Sequence, residues 1–306
     1  MENANLGLGC WVFGNDNYWG SQNHKDSVKT LQAAIRGGIK HFDTARTYGN
    51  GRSEQITGQQ LKKYREDVLI ATKSTWLPAE SVEKYLNISL DRLCTDYVDI
   101  FYIHWPKSGL DFRPMMEAIE KLRNSGKIKK IGVSNFSIKD MELLRNSGNI
   151  DYYQTGYSLL WRFPEKEIIP YCTNRKIKFV SYSSLAQGML TDKFNISTRF
   201  TVNDPRNKLV FFYKDSYDRV KIFLNKFKEL AGSGGFSMAQ LSLKWILRQP
   251  WIDTVLAGAR TREQLEENLS AESIEPDDEI MQKLTSLSDE LYKNMPYREN
   301  IFNHKP

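Results

Sequence analysis

Four side chains of different chemical types stand where apolar runs of the chain end. Asp43 closes the run 40–43, Lys73 follows the run 68–72, His104 follows the run 98–103, and Tyr48 comes five residues after Asp43. Lys73 lies 30 residues beyond Asp43, and His104 lies 31 beyond Lys73. Each interval is the length of one strand–helix unit, so three neighbouring parallel strands would set a carboxylate, an ammonium and an imidazole side by side, with a phenol among them. That set suits the reduction of a carbonyl. A carbonyl that accepts a hydride needs a proton for its developing alkoxide, and a free tyrosine, titrating near about 10, gives one up poorly at neutral pH. Lys73 is expected to favour the phenolate and lower the Tyr48 pKa, Asp43 to keep Lys73 charged and oriented, and His104 to hydrogen-bond the carbonyl oxygen. Singly, each has an ordinary explanation: a satisfied polar histidine, a surface lysine, a helix-capping aspartate. Together those explanations require four coincidences.

Strands must carry these groups, and the chain supplies them. Apolar runs at 6–9, 40–43, 68–72, 98–103, 131–133, 152–155, 179–181 and 254–256 alternate with helical patterns at 25–36, 53–64, 81–93, 114–124, 138–146, 167–174, 237–248 and 263–269. Leu86, Leu90 and Leu93 show the spacing of a core-facing helical stripe. Eight such units in 306 residues predict an α/β fold closed into a (β/α)8 TIM barrel, one domain spanning 1–306, rather than an open doubly wound sheet. In such barrels the chemistry lies at the carboxyl ends of the strands. Two stretches stand outside the repeat. The polar segment 193–214 reads as a long loop after the seventh strand and a lid, and 276–306 as a helix to about 292 followed by a tail whose Met295, Pro296, Tyr297, Ile301 and Phe302 dock on the body. The stretch 232–235 reads as a flexible link.

Composition excludes several classes. With 40% hydrophobic and 26% charged residues, and no apolar stretch near the roughly 20 residues that span a bilayer, the chain reads as globular and without a membrane partner. The first residues, Met1 to Asn5, lack the basic start and apolar core of a secretory leader, so a cytoplasmic location is expected. The formal charge of +6 raises the question of nucleic acid, but the densest basic cluster, Lys127 to Lys130, leads into an apolar strand and no nucleic-acid-binding signature accompanies it. Cys10, Cys94 and Cys172 are odd in number and lack a Cys-x-x-Cys pair, which argues against a disulfide framework or thiolate metal site. The histidines, His24, His41, His104 and His304, contain no His-x-His pair, so no metal is expected and a metal-dependent hydrolase is the weakest reading.

The run 38–54, centred on Asp43-Thr44-Ala45 and Tyr48-Gly49-Asn50-Gly51, resembles the strand-two signature of the aldo-keto reductases. Ile70-Ala71-Thr72-Lys73, Ile103-His104-Trp105-Pro106 and Ile131-Gly132-Val133-Ser134-Asn135-Phe136 resemble that family's next motifs in order, and the resemblance runs from Leu6 to about Ala271. It implies a barrel reductase dependent on NAD(P)H, with NADPH expected and a small-molecule carbonyl as substrate. Tyr48 would be the proton donor, Lys73 and Asp43 its tuning pair, and His104 the group that orients the carbonyl. Ser134, Asn135 and Gln154 would meet the nicotinamide carboxamide, and Tyr182 would stack on the ring. The loop 182–193 resembles the family's pyrophosphate clamp through Ser183, Leu185, Gly188 and Lys193, and 258–268 its adenosine-phosphate segment through Gly258, Arg260, Gln264, Glu267 and Asn268. No Gly-x-Gly-x-x-Gly fingerprint competes for the cofactor. Aromatic residues after the strands predict an aromatic substrate pocket, with Trp11, Trp19, Trp76 and Trp105 as its walls.

The sequence also departs from that family's pattern. It starts almost at strand one, without the hairpin that often plugs the barrel's bottom, which leaves the bottom open or covered by the tail. Ser184 and Ala257 stand where proline is common, and Asp192 where glycine is common, setting a negative charge near the expected pyrophosphate. Gly156 replaces a bulkier or acidic residue and suggests extra room beside the nicotinamide. Two other functions fit parts of the pattern: a cofactor-binding regulatory subunit with little turnover, and a Schiff-base aldolase using Lys73, against which Asp43 argues by keeping the amine protonated.

Overall fold

Strands buried on both faces read as continuous apolar runs, and here the outer face of each packs on helices while the inner face fills a barrel. The structure is a computed structural model and describes residues 5–14, 22–193, 207, 209–298 and 300–302. Its eight parallel strands are β1 (Asn5–Gly9), β2 (His41–Asp43), β3 (Leu69–Ser74), β4 (Val98–Ile103), β5 (Ile128–Ser134), β6 (Tyr152–Gly156), β7 (Lys178–Tyr182) and β8 (Ile252–Ala257). Each pairs with the next, and β8 pairs with β1, closing the barrel. The helices are α1 (His24–Arg36), α2 (Arg52–Leu61), α3 (Ala79–Leu93), α4 (Arg113–Asn124), α5 (Ile138–Leu144), α6 (Ile168–Asn174), α7 (Lys214–Ser233), α8 (Met238–Leu247), α9 (Arg262–Ser273) and α10 (Asp278–Asn294).

The barrel interior has its own apolar cluster of Ala71, Ile100, Tyr102, Tyr152, Val180 and Leu256, distinct from the layer between strands and helices. Gly132 on β5 makes room for it, because a Cβ there would collide with the Tyr102 ring. On α3 the expected stripe is buried: Val82, Leu86, Leu90 and Leu93 face the sheet. At the barrel's bottom, exposed lysines at the strand starts pair with acids of neighbouring strands: Lys129 with Asp99 and Lys130 with Asp151, each at 3.4 Å, and Lys178 with Asp253 at 2.7 Å. The basic cluster 127–130 thus enters β5 with its charges partly matched.

Three features differ from the sequence reading. The 20-residue helix α7 was not anticipated, although Val220, Phe223, Phe227 and Ala231 mark its buried face at helical spacing. Of the expected lid, 194–206 and 208 lie outside the described residues, and its last part is packed: Leu209, Val210 and Phe211 are buried in a short turn before α7. The tail covers the top of the barrel, not the bottom. The amide of Val210 donates to the carbonyl of Ile301 at 3.0 Å, and Arg298 pairs with Asp215 at 2.6 Å, which brings Phe302 to the strands' carboxyl ends. Among the described residues no helix is long and apolar enough to cross a membrane.

Candidate active site

A cavity of about 890 Å³ opens at the carboxyl ends of the strands. Asp43, Tyr48 and His104 line it, and Lys73 stands behind them, completely buried. The Lys73 ammonium donates to Asp43 Oδ1 and, at 2.8 Å, to the carbonyl of Thr44. Asp43 Oδ2 accepts a second hydrogen bond, from Gln154 Nε2 at 2.8 Å. Tyr48 opens the turn after β2, and Gly49 fixes that turn: it has φ of +58°, and a Cβ there would strike the carbonyl oxygen of Gly14. Only glycine lets the β1 and β2 loops touch, which sets the Tyr48 ring 5.2 Å from the Lys73 ammonium and edge-on to His104 at 5.7 Å between centroids.

Tyr48 and His104 are open to the cavity but set deep among protein atoms, and this dominates their protonation. The Tyr48 pKa is pushed well above 10, first by burial and then by the charges of Asp43 and Cys10. The expected net lowering is therefore overturned in this site, where desolvation of the phenolate dominates. Burial lowers the Lys73 pKa, opposed by Asp43, and holds His104 well below 6.5, with the Lys73 charge adding to the effect. At neutral pH the site thus holds a phenol and a neutral imidazole. His104 Nδ1 is buried and has no hydrogen-bond partner among the described residues. Since Lys73 does not line the cavity and its amine is held by Asp43, the Schiff-base reading loses its nucleophile.

The remaining expected residues converge on the same cavity. Ser134, Asn135, Gln154, Tyr182, Ser183, Leu185, Gly188, Lys193, Gly258, Arg260, Gln264, Glu267 and Asn268 all line it. Asn135, in a left-handed conformation, ties the strand ends together: its Nδ2 donates to Ser134 Oγ at 2.9 Å and the His104 carbonyl at 3.3 Å, and its Oδ1 accepts from the Tyr182 hydroxyl at 2.7 Å. In the loop after β7, Ser183, Ala186, Gln187, Gly188 and Asp192 all have positive φ. Such backbone turns direct successive amides into anion-binding concavities, and for non-glycine residues the strain marks a functional segment. Ser184 pins this loop to β8 by donating to the Leu256 carbonyl at 2.9 Å. Asp192 does not line the cavity but pairs with Lys228 on α7 at 2.8 Å, so its charge is matched away from the clamp.

At β8, Thr261 caps α9 by accepting from the amide of Gln264, while Gln264 Oε1 accepts from the amide of Arg260 at 2.9 Å. Gln22, which sequence reasoning missed, holds Arg260 from the far side: its Oε1 accepts from Arg260 Nε at 2.9 Å and its Nε2 donates to the Arg260 carbonyl at 2.8 Å. A guanidinium and a helix start thus face the cavity together, a favourable arrangement for phosphate.

Of the expected aromatic walls, Trp11 and Trp105 line the cavity. Trp76 does not; its indole N–H is drawn to the Asp111 carbonyl at 3.1 Å on the outer rim. Trp19 lies outside the described residues. Phe302, a tail residue not foreseen as a wall, lines the cavity edge-on to Trp11 and Trp105 and nearly parallel to Tyr182. The space expected at Gly156 is filled: Ile301 Cγ2 lies 3.2 Å from where a Cβ would stand.

The chain belongs to the aldo/keto reductase family, whose family model matches residues 5–289. It is 37% identical over 280 residues to aldo-keto reductase YhdN of Bacillus subtilis (strain 168), covering 87% of this chain and 84% of that one. It is 32% identical over 296 residues to the NADH-specific methylglyoxal reductase of Escherichia coli (strain K12), covering 89% and 90%. The solved structure of an aldo/keto reductase from Klebsiella pneumoniae in complex with NADP and acetate matches with a TM-score of 0.75 at 27% identity, covering 97% of this chain and 93% of that one. The protein is accordingly an NAD(P)H-dependent oxidoreductase of a family that acts on small carbonyl compounds.

Proposed function

We propose that the protein reduces uncharged aldehydes and simple ketones to alcohols with NADPH, Tyr48 donating the proton. The observation that carries this is the shared cavity, which gathers Tyr48, His104 and Asp43 with the Tyr182 ring, the strained loop after β7 and Arg260. These residues fit a dinucleotide: Tyr182 offers a ring face, the loop amides suit a pyrophosphate, and Arg260 at the start of α9 suits a further phosphate. When bound, the nicotinamide supplies the hydride.

The chain's own groups supply the rest. His104, neutral and lining the cavity, hydrogen-bonds the carbonyl oxygen and polarises it. Tyr48 carries its proton at neutral pH, the form a reduction requires. As that proton passes to the developing alkoxide, the buried Lys73 ammonium offsets the charge left on the phenolate oxygen, and Asp43 and Thr44 keep the ammonium in place. The phenolate then recovers a proton from solvent. Among the described residues, the side chains that line the cavity on the open side of Tyr48 and His104 include Trp11, Thr47, Trp105 and Phe302, all uncharged, which suits a neutral substrate.

The test follows NADPH absorbance with purified protein and a panel of neutral aldehydes, ketones and sugars. Cofactor consumption with aldehydes and ketones is expected. Tight NADPH binding with no turnover on any carbonyl would favour a regulatory subunit instead.

A further inference from the structure

We propose that Gln154 is a positioning residue for the proton-donating phenol: by holding Asp43 Oδ2, it keeps one N–H of Lys73 free for Tyr48. The inference rests on the reading of Tyr48 as proton donor. Gln154 comes from β6, 111 residues from Asp43 in sequence, and only 2% of it is exposed. Its position lines the cavity, and its amide nitrogen is committed to Asp43.

An ammonium has three hydrogens. Asp43 Oδ1 takes one and the Thr44 carbonyl a second, which leaves one beside Tyr48. A carboxylate turns easily about its last torsion, so an Asp43 with an unheld Oδ2 would swing both oxygens onto the ammonium and draw that third hydrogen from the phenol. The Gln154 amide occupies Oδ2 and stops that rotation. Its neighbours are Val180 and the Tyr102 ring with its buried hydroxyl, and a buried amide is costly unless it is hydrogen-bonded. With one amide hydrogen given to Asp43, the side chain keeps its second N–H and the acceptor Oε1 for a further partner such as a cofactor carboxamide. One residue thereby touches both the cofactor's part of the cavity and the carboxylate that steers Lys73.

The titratable groups facing Asp43 are Lys73 on β3, His41 on β2, Tyr102 on β4, Tyr48 in the β2 loop and Cys10 after β1. Gln154→Met keeps the length and removes the donor. Gln154→Glu keeps the donor only while its own carboxyl is protonated, a state that the nearby Asp43 charge favours. Both are compared with wild type by single-turnover rate against pH at saturating NADPH and aldehyde, alongside NADPH dissociation constants. The Gln154→Met rate is expected to fall about tenfold to a hundredfold, the effect of one lost hydrogen bond to a charged group. Gln154→Glu is expected to approach wild type at acid pH and to lose rate as its carboxyl ionises, in a range where wild type stays level.

Two results would overturn the proposal. Weaker NADPH binding with an unchanged rate and pH profile would make Gln154 a cofactor ligand alone, and an equal rate loss at every pH in both variants would make it structural. If Gln154→Met does not fold, the Gln154→Glu profile decides alone. Failure of the underlying reading looks different: Tyr48→Phe would then turn over normally whatever stands at 154.

Discussion

Lys73 is completely buried with its ammonium paired to Asp43, so each charge depends on the other in place of water. Breaking such a pair from one side leaves an uncompensated buried charge, a loss of about 3–5 kcal/mol. Lys73→Met and Asp43→Asn are each expected to lower unfolding free energy by roughly this amount, and the double variant by less than the sum. Urea denaturation of the three proteins measures it. Additive losses would show that the charges do not depend on each other.

A second expectation concerns acid. His41 is buried, with Nδ1 3.2 Å from Thr254 Oγ1, and burial lowers its pKa below 6.5. Below that pH the unfolded chain takes up a proton that the folded chain refuses. The stability contributed by the neutral ring is therefore complete above pH 6.5 and is lost as pH falls towards the folded-state pKa, by about 1.4 kcal/mol per pH unit. His104, held further below 6.5, acts in the same direction. Melting temperature should fall as pH drops from 6.5, and His41→Gln should flatten that dependence; an unchanged slope would place the acid sensitivity elsewhere.

Cofactor choice should rest on Arg260. Its guanidinium is held by Gln22 at the start of α9. One charge-assisted hydrogen bond contributes about 1.5–3 kcal/mol, so Arg260→Ala is expected to weaken NADPH roughly tenfold to a hundredfold and to leave NADH nearly unchanged. Dissociation constants for both cofactors at fixed salt decide. Equal losses, or preference for NADH in the wild type, would remove the role.

Phe302 should set the fit of bulky substrates. It stands edge-on to Trp11 and Trp105 at the cavity, and an aromatic contact of this kind contributes about 0.5–1.5 kcal/mol. Phe302→Ala is expected to raise KM about twofold to tenfold for aldehydes with an aromatic substituent, with little change for acetaldehyde-sized ones and none in NADPH affinity. A uniform KM change across substrates would assign Phe302 to packing.

The strand ends were legible because parallel strands write themselves as short apolar runs, each followed by its informative residue; Asp43, Lys73 and His104 fall where that rule puts them. What depended on contacts between distant segments was not. Nothing local to Gly156 shows that Ile301 fills its space, and Phe302 reaches the cavity from a tail that Val210 and Asp215 help fasten to the segment before and into α7. The helix α7 was readable from the spacing of Val220, Phe223, Phe227 and Ala231 but was masked by the polar residues around it. Trp76 shares the loop setting of Trp105, yet a single hydrogen bond to Asp111 takes it out to the rim. The direction of the Tyr48 shift was misjudged because charge proximity can be read from spacing whereas depth of burial cannot.

The most direct measurement compares Tyr48→Phe with wild type in NADPH-dependent aldehyde reduction, with NADPH affinity measured on both by fluorescence. The substitution removes one oxygen and its proton from a ring that also contacts Trp11 and His104, so the cavity should keep its shape. The account predicts turnover lower by about 10²- to 10⁴-fold with unchanged NADPH affinity. Turnover within about tenfold of wild type would contradict it, because the proton would then be coming from another group.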